Sequence, residues 1–338
     1  MGINIAALLP KTELKIDDLK GKKIAIDAFN ALYQFLSSIR QPDGTPLMDS
    51  EGKITSHLQG LLSRTTNLMS QGIQLAYVFD GIPPKLKLKE QQERRQHKEE
   101  ADINYHTATE DEDVDAMAKY ARQSSRLTQE MIYESKELLH ALGLPVIEAP
   151  SEAEAQAAFM CARNDVWATA SQDADALLFG TPRLLRNLTL SQKRKLPGGR
   201  YVITFLELIE LSHVLRALQL THDQLIVLGI LVGSDFNIGG IKGIGPKKAI
   251  KLLTEEPDFD TIFKKLNAPF DWKEIYDIFK HIPTTRDYTL QWKPIDEEKI
   301  NEILVEQHQF SKERVQNTLE KIKILQKEKT QKGLSDFT

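Results

Sequence analysis

The chain has 338 residues, 41% of them hydrophobic and 27% charged, which excludes wholesale disorder and provides for one or two globular domains. Its formal net charge of −4 means that nucleic-acid binding would require basic groups gathered on one surface. The single cysteine, Cys161, excludes an internal disulfide, and the longest apolar run, Leu225 to Val232, is far shorter than the ~18 residues of a membrane span. With no secretory signal at its start, we expect a soluble intracellular protein without a membrane partner.

The first predicted elements alternate between apolar strands and amphipathic helices. Lys23 to Asp27 is predicted to be a strand that enters a helix from Ala28 to Arg40, and Leu75 to Asp80 is a second strand. Next come a helix to Leu142, a strand from Pro145 to Glu148, a helix from Ser151 and a strand from Val166 to Ser171. This alternation predicts an α/β fold with a mixed, largely parallel sheet.

Two later stretches differ from this core. The segment from Lys85 to about Arg126 is highly charged and has neither Gly nor Pro, which predicts a helical insertion that stands off the body. After a strand from Tyr201 to Thr204 we expect a mainly helical chain that ends in a polar, disordered tail.

Acidic residues recur where the predicted core elements end. Most have a local explanation: Asp27 and Asp80 fit turn positions, Ser151 to Glu154 fits a capping box, and Asp173 fits a helix N-cap. Asp235 does not, because it follows an apolar helix, where a negative charge opposes the helix dipole.

The alternative is that these acids form one site. The carboxyl ends of parallel strands meet at one sheet edge, and two carboxylates ~4 Å apart repel by ~4 kcal/mol at an effective dielectric near 20. Hard divalent cations, most simply two Mg²⁺ ions, would remove that repulsion and are the usual equipment for phosphodiester hydrolysis. The predicted ligands are Asp27, Asp80, Glu152, Glu154, Asp173, Asp175 and Asp235.

Basic residues crowd the start of the insertion. Lys87 and Arg94 are seven apart and so share a helix face, from which they would neutralise a phosphate above the acids. The alternative is a solvated helix face. Tyr33 has two interpretations as well, since it lies on the apolar stripe of its helix but also one turn beyond Asp27, where it would stack on a base.

A glycine-rich connection, Gly239 to Lys248, joins two predicted helices. Gly243 and Gly245 frame a tight turn, and Lys242, Lys247 and Lys248 add cationic contacts for phosphates. This arrangement indicates a helix–hairpin–helix, and the alternative is a helix connection solubilised by lysines. His57, His106, His140 and Cys161 show no ligand spacing and are interpreted as structural.

Five segments together resemble the structure-specific 5′ nuclease family, and most of all its archaeal flap endonucleases. They are KIAIDAFNALYQFL, AYVFDGIPPKLK, EAPSEAEAQAA, ASQDADALLFG and LVGSDFNIGGIKGIGPKKA. The resemblance runs from Met1 to about residue 325. It implies a PIN-like nuclease core with a helical arch and a helix-two-turn-helix, and an enzyme that cuts 5′ flaps and degrades 5′ ends in lagging-strand maturation and repair.

The resemblance also implies residue roles. Asp27, Asp80, Glu152 and Glu154 would form the first metal cluster, and Asp173, Asp175 and Asp235 the second, with Mn²⁺ as a substitute for Mg²⁺. Lys87 and Arg94 would contact the scissile phosphate and Tyr33 would stack nearby. The further DNA contacts implied are Gly2, Arg40, Thr55, Arg64, Lys242, Gly243, Gly245, Lys247 and Lys248. A K⁺ site in the helix-two-turn-helix is in doubt because Gly240 stands where eukaryotic members have a hydroxyl.

The end of the chain resembles a sliding-clamp-binding box, with Gln331, Leu334 and Phe337 as anchors and Thr338 in place of a second aromatic residue. We expect a monomer with a nuclease region at 1–98 that includes the start of the arch, an arch linker at 99–115, and an internal nuclease region at 116–258. A helical part at 259–326 and the clamp tail at 330–338 would follow.

Two other functions remain open. One is a repair nuclease of the same superfamily that acts on bubbles or recessed 5′ ends, and the other is a non-catalytic DNA-junction binder or clamp adaptor. Retention of all seven acids argues against the binder, which has no use for a repulsive cluster.

Overall fold

The computed structural model describes residues 5, 8–41, 44–88, 126–190, 193–195 and 201–322. Predictions for Gly2, Arg94 and the anchors Gln331, Leu334 and Phe337 lie outside these residues, as does most of the predicted arch, of which residues 85–88 are described and helical.

A seven-stranded sheet forms the centre, in the order β1-β9-β6-β5-β2-β3-β4. The five neighbours from β6 to β4 are parallel, whereas β9 runs antiparallel to both β6 and β1. The predicted mixed, largely parallel sheet is therefore confirmed. The strands, including the separate β7–β8 hairpin, are β1 Thr12–Leu14, β2 Lys23–Asp27, β3 Gln74–Phe79, β4 Val146–Glu148, β5 Ala168–Ala170, β6 Arg183–Arg186, β7 Lys193–Lys195, β8 Tyr201–Ile203 and β9 Leu206–Glu210.

Helices cover both faces of the sheet. They are α1 Ala28–Ser38, α2 Ser56–Gly60, α3 Thr66–Ser70, α4 Gln129–Ala141, α5 Ala153–Ala162, α6 Asp175–Leu178, α7 Leu211–Leu218, α8 His222–Val232, α9 Pro246–Glu255, α10 Phe259–Lys265, α11 Trp272–His281 and α12 Glu297–Asn301. A π-helical turn, Leu61–Thr65, joins α2 to α3, and a second, Glu302–Gln307, follows α12.

Successive side chains of the central strands point to opposite faces of the sheet and pack against different helices. Ile24 and Ile26 of β2 pack with α1, α2 and α4, whereas Ala25 packs with α5 on the other face. The small side chain of Ala25 brings α5 close to the sheet. Since α1 follows β2 directly and α5 follows β4, both helices begin at the carboxyl edge of the parallel strands.

Four of these strands are not predicted from the sequence. β1, β6 and β7 have no prediction, and β9 lies in a region expected to be helical. β9 alternates Leu-Glu-Leu-Ile-Glu and is fixed by pairing with β6, in which Leu184 faces Ile209 across the ladder. Its conformation therefore depends on a distant partner rather than on local periodicity.

Among the described residues, no helix on its own has the length and hydropathy needed to cross a bilayer. One consecutive pair, α7 and α8, meets both criteria when taken together, but the two helices are bent by 78°.

The carboxylate cluster

The carboxyl edge of the sheet receives acids from five separate parts of the chain. Asp27 ends β2, Asp80 follows β3, and Asp173 follows the neighbouring strand β5. Asp235 comes just after α8, and the start of α5 contributes two glutamates. We call the seven predicted ligands together the carboxylate cluster.

Gly81 allows the β3 end to approach α5 closely. Its N–H donates to the carbonyl oxygen of Ser151 at 2.6 Å, and a Cβ at this position would clash with the carbonyl oxygens of Ala149 and Pro150. Asp80 then accepts a hydrogen bond from the N–H of Ala153 at 2.7 Å, so one carboxylate caps a helix that begins 73 residues later.

Electrostatic coupling shows that the acids face one another. Burial, followed by repulsion from Asp80 and Asp173, raises the pKa of Asp27 to about 8. Burial, followed by repulsion from Asp175, Asp27 and Asp173, raises the pKa of Glu154 well above its ordinary value. Like charges in a buried site disfavour ionisation in this way.

The pKa values of Asp80 and Glu152, on the Asp235 side of the cluster, are raised as well. Burial is the largest cause of the raised pKa values of Asp80 and Glu152, and Asp235 repels both. The structure thus brings all seven acids into one electrostatic unit.

Lys87 lies inside this unit. Its Nζ forms an ion pair with Glu152 and lies 3.8 Å from Asp235 Oδ2, with only 14% of the side chain exposed. Burial lowers the pKa of Lys87, but Glu152 and Asp80 outweigh it and the net pKa is raised. The pKa of Glu152 is raised despite this partner, because burial and the neighbouring acids outweigh one ammonium. The cluster is therefore short of positive charge.

Two neutral residues that the sequence analysis did not single out connect the acids. Asn30 Nδ2 donates to Asp173 Oδ2 at 3.1 Å, and the N–H of Asn30 donates to Asp27 Oδ1 at 3.0 Å. Ser171 Oγ donates to Glu154 Oε1 at 2.7 Å. Neutral polar residues near a strand end are too common in sequences to indicate such a role.

The donor set fits a hard divalent cation. The cluster presents carboxylate oxygens, the ligands that Mg²⁺ prefers, and its mutual repulsion can be relieved by added positive charge. Among the described residues, no group of three or more His, Cys, Asp or Glu side chains is already arranged at metal-ligand distances. The chemistry of a metal site is thus present, with Lys87 acting as the internal counter-charge.

Two of the helix-capping interpretations of these acids, those of Ser151–Glu154 and Asp173, are wrong. Helix α5 begins at Ala153 with Glu152 at its N-cap, and Ser151 Oγ donates instead to the carbonyl of Ile82 at 2.9 Å, so no Ser151–Glu154 capping box forms. Asp173 is not an N-cap either, because α6 begins at Asp175 after Ala174. Asp27 does cap α1. Its position next to Asp173 shows that capping and membership of the cluster are compatible.

The ring of Tyr33 is not part of the core. The residue is 38% exposed, so its position on an apolar stripe predicted burial wrongly. Of the other predicted DNA contacts, Thr55 is buried, while Arg40 Nη1 donates to the carbonyl of Gly44 at 2.8 Å. Burial lowers the pKa of the half-buried Arg64.

The glycine-rich connection joins α8 to α9. Pro246 occupies the first turn of α9 and Gly245 is its N-cap. Ile241 and Ile244 are buried, whereas Lys242, Lys247 and Lys248 are exposed beside the turn. A Cβ at Gly240 would clash with the backbone at Val232 and Gly233, so this position excludes a side-chain hydroxyl unless the backbone shifts.

The described residues also form a groove away from the cluster. It has a volume of about 410 Å³ and is lined by residues that include Lys23, Arg163 and Arg286, at the start of β2 and therefore at the opposite edge of the sheet from the cluster. Asp165 lies there too, but it accepts hydrogen bonds from Arg163 and Tyr288. The groove has no set of converging acids and is not the catalytic candidate.

Comparison with known proteins agrees with the site. The XPG N-terminal domain matches residues 1–101 and the XPG I-region matches residues 143–235. The chain is 52% identical to flap endonuclease 1 of Pyrococcus abyssi over 96% of this chain and 94% of that protein. It is 50% identical to flap endonuclease 1 of Staphylothermus marinus over 95% and 94%.

Solved structures agree as well. The fold is similar to flap endonuclease 1 from Methanococcus jannaschii, with a TM-score of 0.78, 42% identity, and coverage of 97% of this chain and 100% of that one. The catalytic core of Rad2 in complex with a DNA substrate shares the fold at a TM-score of 0.68 and 24% identity, covering 92% of this chain and 96% of that one. The chain belongs to the flap endonuclease 1 family of metal-dependent nucleases.

Proposed function

We propose that this chain cuts branched DNA at the junction between a 5′ flap and the duplex, and that it also degrades DNA from 5′ ends, in lagging-strand maturation and base-excision repair. The observation that carries the proposal is the convergence of seven acids from separate segments on one sheet edge in a member of this family. Such a cluster costs folding free energy, because buried like charges repel. Its presence therefore favours a functional role over a structural one.

In this proposal the acids divide into two metal-binding sets. Asp27, Asp80, Glu152 and Glu154 hold the first ion, and Asp173, Asp175 and Asp235 hold the second. Two Mg²⁺ ions, with Mn²⁺ as a substitute, would activate a water molecule, orient the phosphate and stabilise the leaving oxygen when bound.

The chain's own residues then bind and orient the DNA. Lys87 exchanges its contact with Glu152 for the scissile phosphate once added cations neutralise the acids. Arg94, whose spacing from Lys87 predicts a shared helical face, is proposed to assist. The exposed ring of Tyr33 stacks on a base beside the cut. Gly2 is proposed as a further DNA contact near the reacting phosphate.

Further contacts fix the position of the duplex without reading its sequence. Lys242, Gly243, Gly245, Lys247 and Lys248 bind phosphates of one strand, and a K⁺ ion completes this turn only if backbone oxygens replace the missing hydroxyl at Gly240. Arg40, Thr55 and Arg64 contact the opposite strand and a one-nucleotide 3′ flap. Because phosphate contacts release counter-ions, binding weakens as salt rises.

The last residues serve a different partner. Gln331, Leu334 and Phe337 bind a sliding clamp in an otherwise monomeric, intracellular enzyme. Phe337→Ala is expected to weaken stimulation by the clamp and to leave cleavage by the enzyme alone unchanged. Equal loss of both activities would show that the tail has another role.

Substitution of the acids tests the proposed reaction. Asp175→Ala and Asp235→Ala are expected to abolish flap cleavage while leaving flap-DNA affinity within a few-fold, because they remove cation ligands and no phosphate contact. Asp277→Ala, at an exposed acid of α11, is the matched control and should cut normally.

Three substrates separate the candidate functions. Flap, bubble and nicked duplex DNA, assayed side by side with Mg²⁺, should be cut with a clear preference for the flap. A preference for bubbles would favour the repair-nuclease alternative, and undiminished cutting by either alanine variant would refute the metal assignment.

A further inference from the structure

Asn30 connects the two proposed metal-binding sets although it carries no charge. It lies in the first turn of α1, between the end of β2 and the segment that follows β5. Ile26 pairs with Ala170 in the parallel β2–β5 ladder, so Asp27 and Ser171 leave the sheet side by side. Asn30 faces the gap between these two chain segments.

Three polar groups of Asn30 are engaged there. Its N–H donates to Asp27 Oδ1 at 3.0 Å, and its side-chain Nδ2 donates to Asp173 Oδ2 at 3.1 Å. Its Oδ1 accepts the N–H of Gln172 at 3.3 Å. The last two contacts fix the amide orientation, because only the oxygen can accept and only the nitrogen can donate.

Ser171 provides a second, parallel connection. Its Oγ donates to Glu154 Oε1 at 2.7 Å and lies 3.2 Å from the N–H of Asp173, which donates to it. Asp173 is therefore held through its carboxylate by Asn30 and through its backbone by Ser171. A carboxylate held at two points has little freedom to move when a cation enters or leaves.

We infer that Asn30 is a positioning residue that fixes the distance between Asp27 and Asp173, and with it the spacing of the two metal subsites. Asn30 acts on the predicted ligands through hydrogen bonds, since its side-chain nitrogen donates to Asp173 and its oxygen accepts from Gln172. This inference rests on the proposed function and identifies a determinant of it outside the seven acids.

The chemistry explains why an amide suits this position. An amide N–H donates to a carboxylate without a competing positive charge, so it holds Asp173 in place yet leaves the site in need of cations. A lysine here would neutralise the cluster itself, and an aspartate would add a further repulsive oxygen beside Asp173. Catalytic groups must be held within about 0.5 Å of their working positions, which neutral hydrogen bonds to ligands achieve.

Mn²⁺ binding without DNA gives the most direct test. Wild type, Asn30→Leu, Asn30→Asp and Asp173→Ala are titrated with Mn²⁺ alone and followed by electron paramagnetic resonance, and kcat and KM for a flap substrate are then measured. Asn67→Leu, at an exposed asparagine of α3, is the matched control. Melting temperatures report whether each variant is folded.

We expect Asn30→Leu to weaken one of two Mn²⁺ sites by at least about tenfold and to lower kcat by a similar factor, with KM for DNA little changed. Asn30→Asp keeps an acceptor for Gln172 but turns an oxygen toward Asp173. It should bind Mn²⁺ as tightly as wild type and still lose kcat at saturating metal. Asn67→Leu should match wild type in every measurement.

The outcomes separate the inference from the function on which it rests. If Asp173→Ala abolishes cleavage while both Asn30 variants keep wild-type Mn²⁺ affinities and kcat, the positioning role is refuted, even if their melting temperatures fall. If Asp173→Ala itself binds Mn²⁺ and cuts like wild type, the proposed metal site is refuted instead.

Discussion

Two groups of buried acids in this chain have opposite electrostatic environments. In the carboxylate cluster, burial and mutual repulsion raise the pKa of Asp27 to about 8. In a second group, which we call the histidine cluster, two acids alternate with two histidines. Asp49 Oδ2 lies 2.8 Å from His308 Nδ1, and Glu134 lies 3.1 Å from His308 Nε2 and 3.2 Å from His57 Nε2.

The pKa values in the histidine cluster move downward. Burial raises the pKa of Asp49, but hydrogen bonds from His308 and from the N–H groups of Lys53 and Glu51 outweigh it and the net pKa is lowered. Burial likewise opposes the lowered pKa of Glu134, which His57 and His308 cause. Both ring nitrogens of His308 lie against carboxylate oxygens, so this one ring joins Asp49 to Glu134.

The difference distinguishes structural acids from functional ones. The histidine cluster supplies its own partners and joins the 44–55 loop, α2, α4 and the segment after α12 into one body. Among the described residues, the ion pairs of the carboxylate cluster come from one ammonium, that of Lys87. Burial alone therefore does not mark a site, whereas buried acids that repel one another favour the binding of an added cation.

The largest expected effect on stability comes from breaking the histidine cluster. His308→Leu leaves Asp49 and Glu134 buried without their shared partner, and we expect a loss of about 3 kcal/mol in the free energy of unfolding, measured with urea. His213→Leu, at a half-exposed histidine paired with Glu210, should cost far less. Equal losses would show that the histidine cluster adds nothing beyond an exposed pair.

The second-largest expected effect is the gain in the free energy of unfolding on adding Mg²⁺, which should depend on the carboxylate cluster and not on the histidine cluster. At about 100 times its Kd, Mg²⁺ is expected to stabilise wild type by about 2.7 kcal/mol, because it binds only the folded chain. Asp27→Asn should lose most of this gain. Without Mg²⁺, however, it should be at least as stable as wild type, since Asn still accepts the N–H of Asn30 and cannot ionise beside Asp80 and Asp173.

Asp49→Asn serves as the counterpart in the same experiment. It should be less stable than wild type with or without Mg²⁺ and should keep the full response to the ion. If Mg²⁺ stabilises wild type and Asp27→Asn equally, the carboxylate cluster is not where the ion binds.

A smaller effect is expected from acid. Because the folded-state pKa values of Asp49 and Glu134 lie below their ordinary values of 3.8 and 4.5, their stabilisation is complete above those values and is lost as pH falls through the lower, folded-state values. Urea midpoints between pH 6 and pH 3 should therefore fall more steeply for wild type than for Asp49→Asn. Parallel slopes would contradict the pairing of Asp49 with His308.

Local sequence signals predicted the elements that carry most of the acids. The apolar run before Asp27 and the Gly-Pro start of α9 are properties of a few consecutive residues, and both were found. β9 was missed because its ladder with β6 decides its conformation.

The connections within the site were not predictable for a related reason. Glu134 is 77 residues from His57 and 174 from His308, and Asn30 is 143 from Asp173, so no local pattern links them. The acids could be proposed because each lies at the end of a strand or helix or at the start of the next one. Asn30 and Ser171 become recognisable only when the strands stand side by side.

The central claim is that the carboxylate cluster is completed by two divalent cations. Soaking crystals of the protein with Mn²⁺ and locating the ions by anomalous scattering tests it directly. We expect two peaks among the seven acids, with Lys87 displaced from Glu152. No peak there, or ions bound elsewhere while the Lys87–Glu152 ion pair persists, would contradict it.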